Sequence, residues 1–350
     1  MNDLASYAYI NARIRAMFSR LLTDAQVDQL IRTKDIQAMF RILKGVACGS
    51  HFDDDAGEKT PEEIERQLIR QDIVTHQKIL NDLSLGSLSY NLVKLFLGRY
   101  ELHEIKTLLR AWNKGHSDGS RLLVKEAFIH HLDIDRAMAA VDIDAFCSVL
   151  ADTLYAVPIR RGWEKYKRTN VYFYVESALD RDYFVRLWDC VDQFKGRDWD
   201  VASKILGIEV DIENIGALLR LRQHFDLPAH EAVNVMIPRG YRLKSGLMRQ
   251  ALMQKGAEAM ARSLAVKPYE DIARVFSSSG EHAGLQLLES GLYRILYREL
   301  MNTMSGYPFT IGTVLSFLIL KRIETANIIT IVYGKQQGLS TEQIRGELLC

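Results

Sequence analysis

The sequence predicts an all-α protein made of three similar helical lobes. Apolar residues recur every three or four positions over long stretches, and between residues 175 and 194 they fall on one face of a helix. Glycine and proline number only 22 and 6 in 350 residues, against a usual combined share of about 12%. Because strand-like alternation of apolar and polar residues is also rare, helices should dominate the fold.

The three lobes are predicted by an internal repeat of two elements. An apolar residue, a glutamate, two variable residues and a leucine appear at Ile64 to Leu68, Val175 to Leu179 and Leu288 to Leu292. An acid three residues before Glu or Asn, with isoleucine next, appears at Glu101 to Ile105, Asp211 to Ile215 and Glu324 to Ile328. The first element recurs after 111 and 113 residues and the second after 110 and 113. Since solenoid repeats span about 20 to 50 residues, each copy should hold several helices, and we expect lobes at 1–115, 116–228 and 229–350.

Helix starts are marked by side chains that can satisfy free backbone N–H groups. Thr60-Pro61-Glu62-Glu63 is a capping box with proline at the first helical position. The same pattern recurs at Thr23 to Gln26 and at Ser340 to Gln343, and Gly338 suits a left-handed helix end. We therefore predict helices that begin just after Thr23, Thr60 and Ser340.

Composition argues against several classes of protein. The net charge is +1, with 45 basic and 44 acidic residues, so no overall field favours nucleic acid or an anionic membrane. The four cysteines form no CxxC pair, which argues against zinc or a disulfide framework and favours a reducing cytosol. The start of the chain lacks the apolar core of a secretory signal, and the longest apolar run, 311–320, is short of the roughly 20 residues that span a bilayer.

Two polar clusters are candidate catalytic or metal sites. His51 to Asp55 lacks the ligand spacing of a calcium loop, so a solvated loop before Thr60 is favoured. A second cluster comprises His130, His131, Asp133, Asp135, Asp142 and Asp144. Adjacent histidines on a helix point about 100° apart, which favours caps and polar residues around a turn. Ser277 to Gly280 is more consistent with a plain loop than with an anion-binding turn, and no glycine-rich phosphate loop occurs. We predict no catalytic residue, cofactor or metal.

The repeated acids allow two interpretations. Glu65, Glu176 and Glu289 recur in the first element, and Asp211 lies one helical turn from Asn214 in the second. They can form a polar network repeated in every lobe, with Arg110 or Arg220 as partners, or they can line a central opening. We expect Trp112, Trp163, Trp188 and Trp199 to be buried. The tyrosine-rich segment 165–174, with Lys167 and Arg168, is an exposed helix edge or, alternatively, a surface for an acidic partner.

Several segments together resemble one known family. They are Tyr7 to Arg15 with Leu21 and Leu22, Asp211 to Ile215 with Leu219 and Arg220, Ile237 to Gly240, Lys321 to Glu324, Asn327 with Ile328, and Gly334 with Lys335. In their order and spacing the chain resembles, over essentially its whole length, the C subunit of the A-type and V-type rotary ATPases, known as the d subunit in the eukaryotic vacuolar enzyme. Two positions depart from the pattern: Glu104 replaces the asparagine found at 214 and 327, and Ile329 stands where a basic residue is frequent.

The resemblance implies three lobes around a pseudo-three-fold axis, shaped like a funnel. It also implies a non-catalytic rotor subunit that joins the D and F subunits of the central stalk to the membrane proteolipid ring, peripherally and on the cytoplasmic side. No nucleic acid or small-molecule substrate is implied, and the residues that bind these partners are not specified by the sequence. Two alternatives remain: a general all-helical scaffold unrelated to rotary ATPases, and a helical enzyme with a metal held by carboxylates such as Asp53 or Asp133.

Overall fold

A computed structural model of the chain describes residues 2–45, 59–115, 123–224, 228–270 and 281–349. About 75% of the described residues are helical and the described ranges contain no strand, so the predicted all-α class is confirmed. The helices are α1 Asn2–Phe18, α2 Asp24–Arg32, α3 Ile36–Lys44, α4 Pro61–Asp82, α5 Leu88–Asn113, α6 Ile134–Met138, α7 Ile143–Val149, α8 Ala156–Thr169, α9 Phe173–Val191, α10 Gly196–His224, α11 Ala229–Val235, α12 Ser245–Leu252, α13 Ala257–Leu264, α14 Glu281–Ser305, α15 Ile311–Gln336 and α16 Thr341–Glu347.

The predicted helix starts are confirmed. The Thr60 side chain accepts a hydrogen bond from the backbone N–H of Glu63, and the Glu63 carboxylate accepts one from the Thr60 N–H. The same reciprocal pair caps α2 at Thr23 and α16 at Ser340. Gly338 has a φ of 70°, the left-handed conformation that ends a helix at little steric cost.

Three pairs of long helices make up the centre of the fold. The pairs are α4 with α5, α9 with α10, and α14 with α15, and a short turn joins the two helices of each pair. The first repeated element lies on the first helix of each pair and the second element on the second helix. Helix α5 packs on α9, α10 packs on α14, and α15 packs on α4. The contacts between pairs therefore form a closed cycle.

The two ends of the chain pack together beside this cycle. Helices α2 and α3 contact α15, and α2 also contacts α16. A separate apolar cluster joins them, with members on α2, α3, α4, α15 and α16: Leu30, Ile31, Met39, Phe40, Leu43, Ile64, Leu68, Ile328, Ile331, Val332, Ile344 and Leu348. Burial of apolar surface at about 25 cal/mol per Å2 holds the N-terminal and C-terminal helices in one unit.

The large core runs through all three helix pairs and takes in Ile10 and Ile14 of α1. Trp163 and Trp188 are buried, as expected. Trp112 is half-buried, and its indole N–H donates to the carbonyl oxygen of Ala140 at 2.8 Å. The expectation for Trp199 is wrong, because this side chain is 40% exposed near the start of α10.

The apolar run 311–320 forms the first turns of α15, where every one of its residues is buried inside the protein. Among the described helices, none combines enough length with enough apolar character to cross a membrane.

Cys147 and Cys190 are buried free thiols.

Gly162 permits a close approach of α8 to α9. A Cβ at this position would lie 2.6 Å from the Cα of Val175 and 2.8 Å from the carbonyl oxygen of Tyr174. Because these are backbone atoms, we expect Gly162→Ala to lower the free energy of unfolding by about 1 to 3 kcal/mol, measured by urea denaturation. Gly291→Ala in α14 is the matched control, since no described atom outside its own helix turn lies within 4 Å of the added Cβ. Equal effects of the two substitutions would contradict this account.

Candidate functional site

The second repeated element binds the backbone of the segment that follows it. In α10 the buried Asp211 carboxylate accepts the N–H groups of Arg242 and Leu243 at 2.7 and 3.1 Å and the Tyr269 hydroxyl at 2.7 Å. One turn later, Asn214 exchanges two hydrogen bonds with the backbone of Ile237, at 2.8 and 2.9 Å. These side chains hold the loop 236–243 against α10.

This loop explains the Ile237 to Gly240 segment of the resemblance. A Cβ on Gly240 would lie 2.0 Å from Oδ1 of Asp211, so only glycine allows the backbone to approach the carboxylate. Arg239 adopts a φ of 67°. Its guanidinium lies 4.1 Å from the ring centre of Trp188 and pairs with Asp192.

The first copy of the element is built in the same way on α5. The Glu101 carboxylate accepts hydrogen bonds from the backbone N–H groups of Ile129 and His130 at 2.9 and 2.8 Å. It also hydrogen-bonds to Nδ1 of the His130 ring at 2.8 Å and to the Tyr155 hydroxyl at 2.9 Å. Glu104, the departure from asparagine, accepts the N–H of Val124 at 3.1 Å. Burial raises the pKa of Glu104 to about 7.

The third copy binds both ends of the chain. Glu324 on α15 accepts the N–H of Leu22, in the turn between α1 and α2, at 2.6 Å. Asn327 accepts the N–H of Leu349 at 2.8 Å. Because the acid and the residue one turn later contact backbone in every copy, the second element forms a structural polar network.

The first repeated element links neighbouring helix pairs. Glu176 on α9 pairs with Arg110 on α5 at 3.3 Å, as predicted. Glu65 on α4 accepts the hydroxyl of Tyr333 on α15 at 2.6 Å. The side chain of Glu289, the third member, lies outside the described side chains.

At the centre, three equivalent positions of the long helices meet. Arg99, Glu209 and Arg322 each stand two residues before the acid of the second element, and they are separated by 110 and 113 residues. Both guanidinium groups donate to Oε1 of Glu209, Arg99 at 3.1 Å and Arg322 at 2.5 Å. We name these three residues the polar hub.

The polar hub is mostly shielded from water. The Glu209 side chain is 3% exposed, and those of Arg99 and Arg322 are 20% and 21% exposed. Burial is the largest single influence on Arg99 and opposes its charge, but Glu209, Tyr183, Glu213 and Tyr293 together outweigh burial and raise the pKa of Arg99 above its ordinary value. The Arg99 guanidinium also lies 5.5 and 5.4 Å from the ring centres of Tyr183 and Phe184 on α9. Through these rings and Glu209, Arg99 of the first helix pair contacts both helices of the second.

The contact between α4 and α15 carries a buried acid. Asp72 accepts the hydroxyls of Thr325 and Tyr100 at 2.8 and 3.3 Å, and its carboxylate lies 3.8 Å from Nζ of Lys321. Burial raises the pKa of Asp72 to about 7, although Lys321 acts to lower it. By the spacing of the repeat, the equivalent positions on α9 and α14 are Tyr183 and Leu296.

The candidate catalytic or metal clusters have structural roles where they are described. Asp133 and Asp142 cap α6 and α7, accepting the N–H groups of Arg136 and Ala145 at 3.0 and 2.8 Å. The Nδ1 atom of His130 hydrogen-bonds to the Glu101 carboxylate. Within the described ranges, no group of three or more His, Cys, Asp and Glu residues is arranged to hold a metal ion. His51 to Asp55 and Ser277 to Gly280 lie outside the described residues.

The tyrosine-rich segment is partly packed. Tyr166 contacts the rings of Trp163 and Tyr172, and the Tyr174 hydroxyl donates to Glu231 at 3.0 Å. Lys167 and Arg168 are exposed, as expected for a helix edge.

Sequence reasoning does not find the hub residues, although a signal for them exists. Arg99, Glu209 and Arg322 obey the repeat spacing, but they are arginine, glutamate and arginine, so a search for identical letters passes over them. A search for opposite charges at equivalent positions finds them.

The fold and these contacts define an all-helical structural protein whose conspicuous polar groups hold helices and loops together. The model of the ATP synthase (C/AC39) subunit family matches residues 10–347, and the chain belongs to this family. This membership identifies it as a non-catalytic accessory subunit and not an enzyme in itself. It also confirms the resemblance drawn from the sequence.

Relatives named as the C subunit of the A-type ATP synthase match over nearly the full chain. The one from Methanocaldococcus jannaschii is 24% identical over 99% of this chain and 87% of its own length. The one from Methanosarcina mazei is 27% identical over 99% of this chain and 93% of its own length. That of Haloferax volcanii is 24% identical over 97% of both chains. The relatives support a subunit of a rotary ATPase and argue against a scaffold unrelated to these complexes.

Glu209→Gln should destabilise the fold, because it removes the one carboxylate to which both shielded guanidinium groups donate. We expect a loss of about 3 kcal/mol in the free energy of unfolding. The triple variant Arg99→Met, Glu209→Leu, Arg322→Met should lose less than the single variant, since it removes both guanidinium groups together with the carboxylate that they share. Glu164→Gln is the control, because Glu164 is 61% exposed and pairs with Lys167 at the surface. A single variant no less stable than this control would refute the role of the hub.

Asp72→Asn should change how stability depends on pH. The folded protein holds the Asp72 proton more tightly than the unfolded chain, so this stabilisation is complete below pH about 4 and is lost as the pH rises through about 7. The variant lacks this titration and should gain stability relative to the original chain over that range, by up to roughly 4 kcal/mol at about 1.4 kcal/mol per pKa unit. His76, whose pKa burial lowers to about 4, is present in both proteins. Parallel curves of unfolding free energy against pH would disprove the prediction.

Proposed function

We propose that the chain is the rotor subunit that joins the central shaft of an A-type or V-type ATPase to the proteolipid ring in the membrane. It transmits torque for ATP-linked proton or sodium transport. Its partners in this proposal are the ring and the D and F subunits of the central stalk, and it is bound peripherally on the cytoplasmic side. The observation that carries the proposal is the match to relatives of this family over almost the whole chain.

The arrangement of the helix pairs supports a pseudo-three-fold form. Equivalent points of three copies related by rotation come together only near the rotation axis, and Arg99, Glu209 and Arg322 are in contact. The closed cycle of helix contacts has the same implication. We therefore place the axis of a three-lobed funnel at the polar hub, with lobes at 1–115, 116–228 and 229–350. In this scheme α2 and α3 of the first lobe pack on α15 of the third.

Physical properties of the fold suit the transfer of torque. Close-packed helix cores resist compression, and the main core runs through all three pairs. The Glu65–Tyr333 and Glu176–Arg110 contacts join neighbouring pairs, and the hub joins all three. A twist applied to one pair is therefore passed to the others through side chains that are already in contact.

Reconstitution of the ATPase complex with and without this chain tests the proposal. Without it, we expect ATP hydrolysis to continue with little ion transport into proteoliposomes, because shaft and ring are no longer connected. Adding the purified chain back should restore transport and co-sedimentation of D and F with the ring. Glu164→Gln, an exposed position, serves as the matched variant and should restore coupling fully. A complex that stays coupled in the absence of the chain would overturn the proposal.

A further inference from the structure

A basic groove of about 900 Å3 opens at the surface beside the second helix pair. Its walls come from α9, the first half of α10, the end of α11, the loop 236–243 and α12. The charged residues in its lining are five basic and one acidic: Arg181, Lys204, Arg239, Lys244, Arg249 and Asp200. Since the whole chain carries a net charge of only +1, the groove is a local concentration of positive charge.

Neighbouring carboxylates neutralise only part of this charge. Arg239 pairs with Asp192, and Lys204 lies 2.7 Å from Glu299. Arg181 and Lys244 instead donate to carbonyl oxygens of the loop, those of Met236 at 2.6 Å and Gly240 at 2.7 Å. Because a carbonyl is a neutral acceptor, these hydrogen bonds do not cancel either charge; Lys244 also acts on the buried Asp211. Concave walls concentrate the resulting field.

The rim of the groove offers an exposed cation and an exposed aromatic ring. Arg249 stands in the last turn of α12 with its side chain in solvent. Trp199 is 40% exposed, although nearby Trp188 is buried and covered by Arg239. Tryptophan and arginine are enriched among residues that dominate protein–protein binding, where covering a large ring removes much apolar surface from water.

We propose that this groove binds an acidic, amphipathic segment of another protein. Carboxylates of the segment pair with Arg181, Lys244 and Arg249, and an apolar side chain covers Trp199. The occupant is inferred from charge complementarity, and a concave groove of this volume holds several side chains of a peptide, whereas a membrane surface is flat. The groove is lined by the loop that Asp211 and Asn214 hold and by none of the hub residues, so it is distinct from the polar hub, and the proposal is independent of the coupling role.

The test uses the full chain and a fluorescent helical peptide with glutamate on one face and leucine on the other. We expect saturable binding by fluorescence anisotropy that weakens as salt is raised. Arg249→Glu and Trp199→Ala should each reduce affinity about tenfold, which corresponds to about 1.4 kcal/mol. Arg32→Glu is the matched control, because Arg32 is also an exposed arginine in the last turn of a helix and lies outside the groove; it should leave affinity unchanged.

Further arms separate the peptide from other anions. A peptide with glutamine in place of glutamate should bind much more weakly, and Trp199→Phe should retain most of the affinity lost in Trp199→Ala. Circular dichroism of each variant checks that it is folded. The proposal is overturned if the glutamine peptide binds equally well, or if Arg249→Glu and Arg32→Glu weaken binding to the same extent. It is also overturned if the groove variants weaken binding to anionic lipid vesicles or to single-stranded DNA but not to the glutamate peptide.

Discussion

Buried carboxylates and amides on α5, α10 and α15 determine how the rest of the chain is arranged. A polar group removed from water costs free energy unless it is hydrogen-bonded. Glu101, Asp211 and Glu324 meet this requirement with backbone N–H groups far away in the sequence, at positions 129, 242 and 22. Each long helix therefore holds a particular loop at its side, and the loop can contain residues, such as Gly240, that suit only that contact.

The same need for hydrogen-bond partners joins the first helices of the chain to α15. In the third copy, the acid finds its N–H donor in the turn after α1, so the repeat is completed by the opposite end of the chain. The apolar cluster of α2 and α3 with α15 and α16 lies beside this contact. Ordering two distant chain ends costs conformational entropy that grows only slowly with their separation. Burial of the apolar side chains in this cluster offsets that cost, and the cycle of helix contacts is completed.

Sequence reasoning reaches the helices, their caps and the repeated acids because each leaves a local pattern. Thr60 and Glu63 are three residues apart, and the spacing alone indicates their contact. The packing of α2 on α16 leaves no such pattern, since the apolar face of an amphipathic helix does not indicate which other helix it packs against. The expectation for Trp199 fails for a related reason: an aromatic side chain is usually buried, but its exposure depends on which face of α10 the neighbouring loop covers. Repeat detection misses the polar hub, because it searches for similar residues at equivalent positions. The hub positions instead hold residues of opposite charge.

The opposite charges at equivalent positions have a physical consequence in a chain made of similar helix pairs. Three copies with identical apolar contacts could associate in the wrong order or register at little cost. Arg99 and Arg322 can share Glu209, but they would repel each other without it, and Asp72 is placed to meet Lys321 where the equivalent residues are Tyr183 and Leu296. Buried ion pairs add little net stability compared with apolar contacts, and their best-attested role is to specify one arrangement. We infer that the charges at equivalent positions favour a single cyclic order of the three pairs, while the apolar core supplies most of the free energy that holds them.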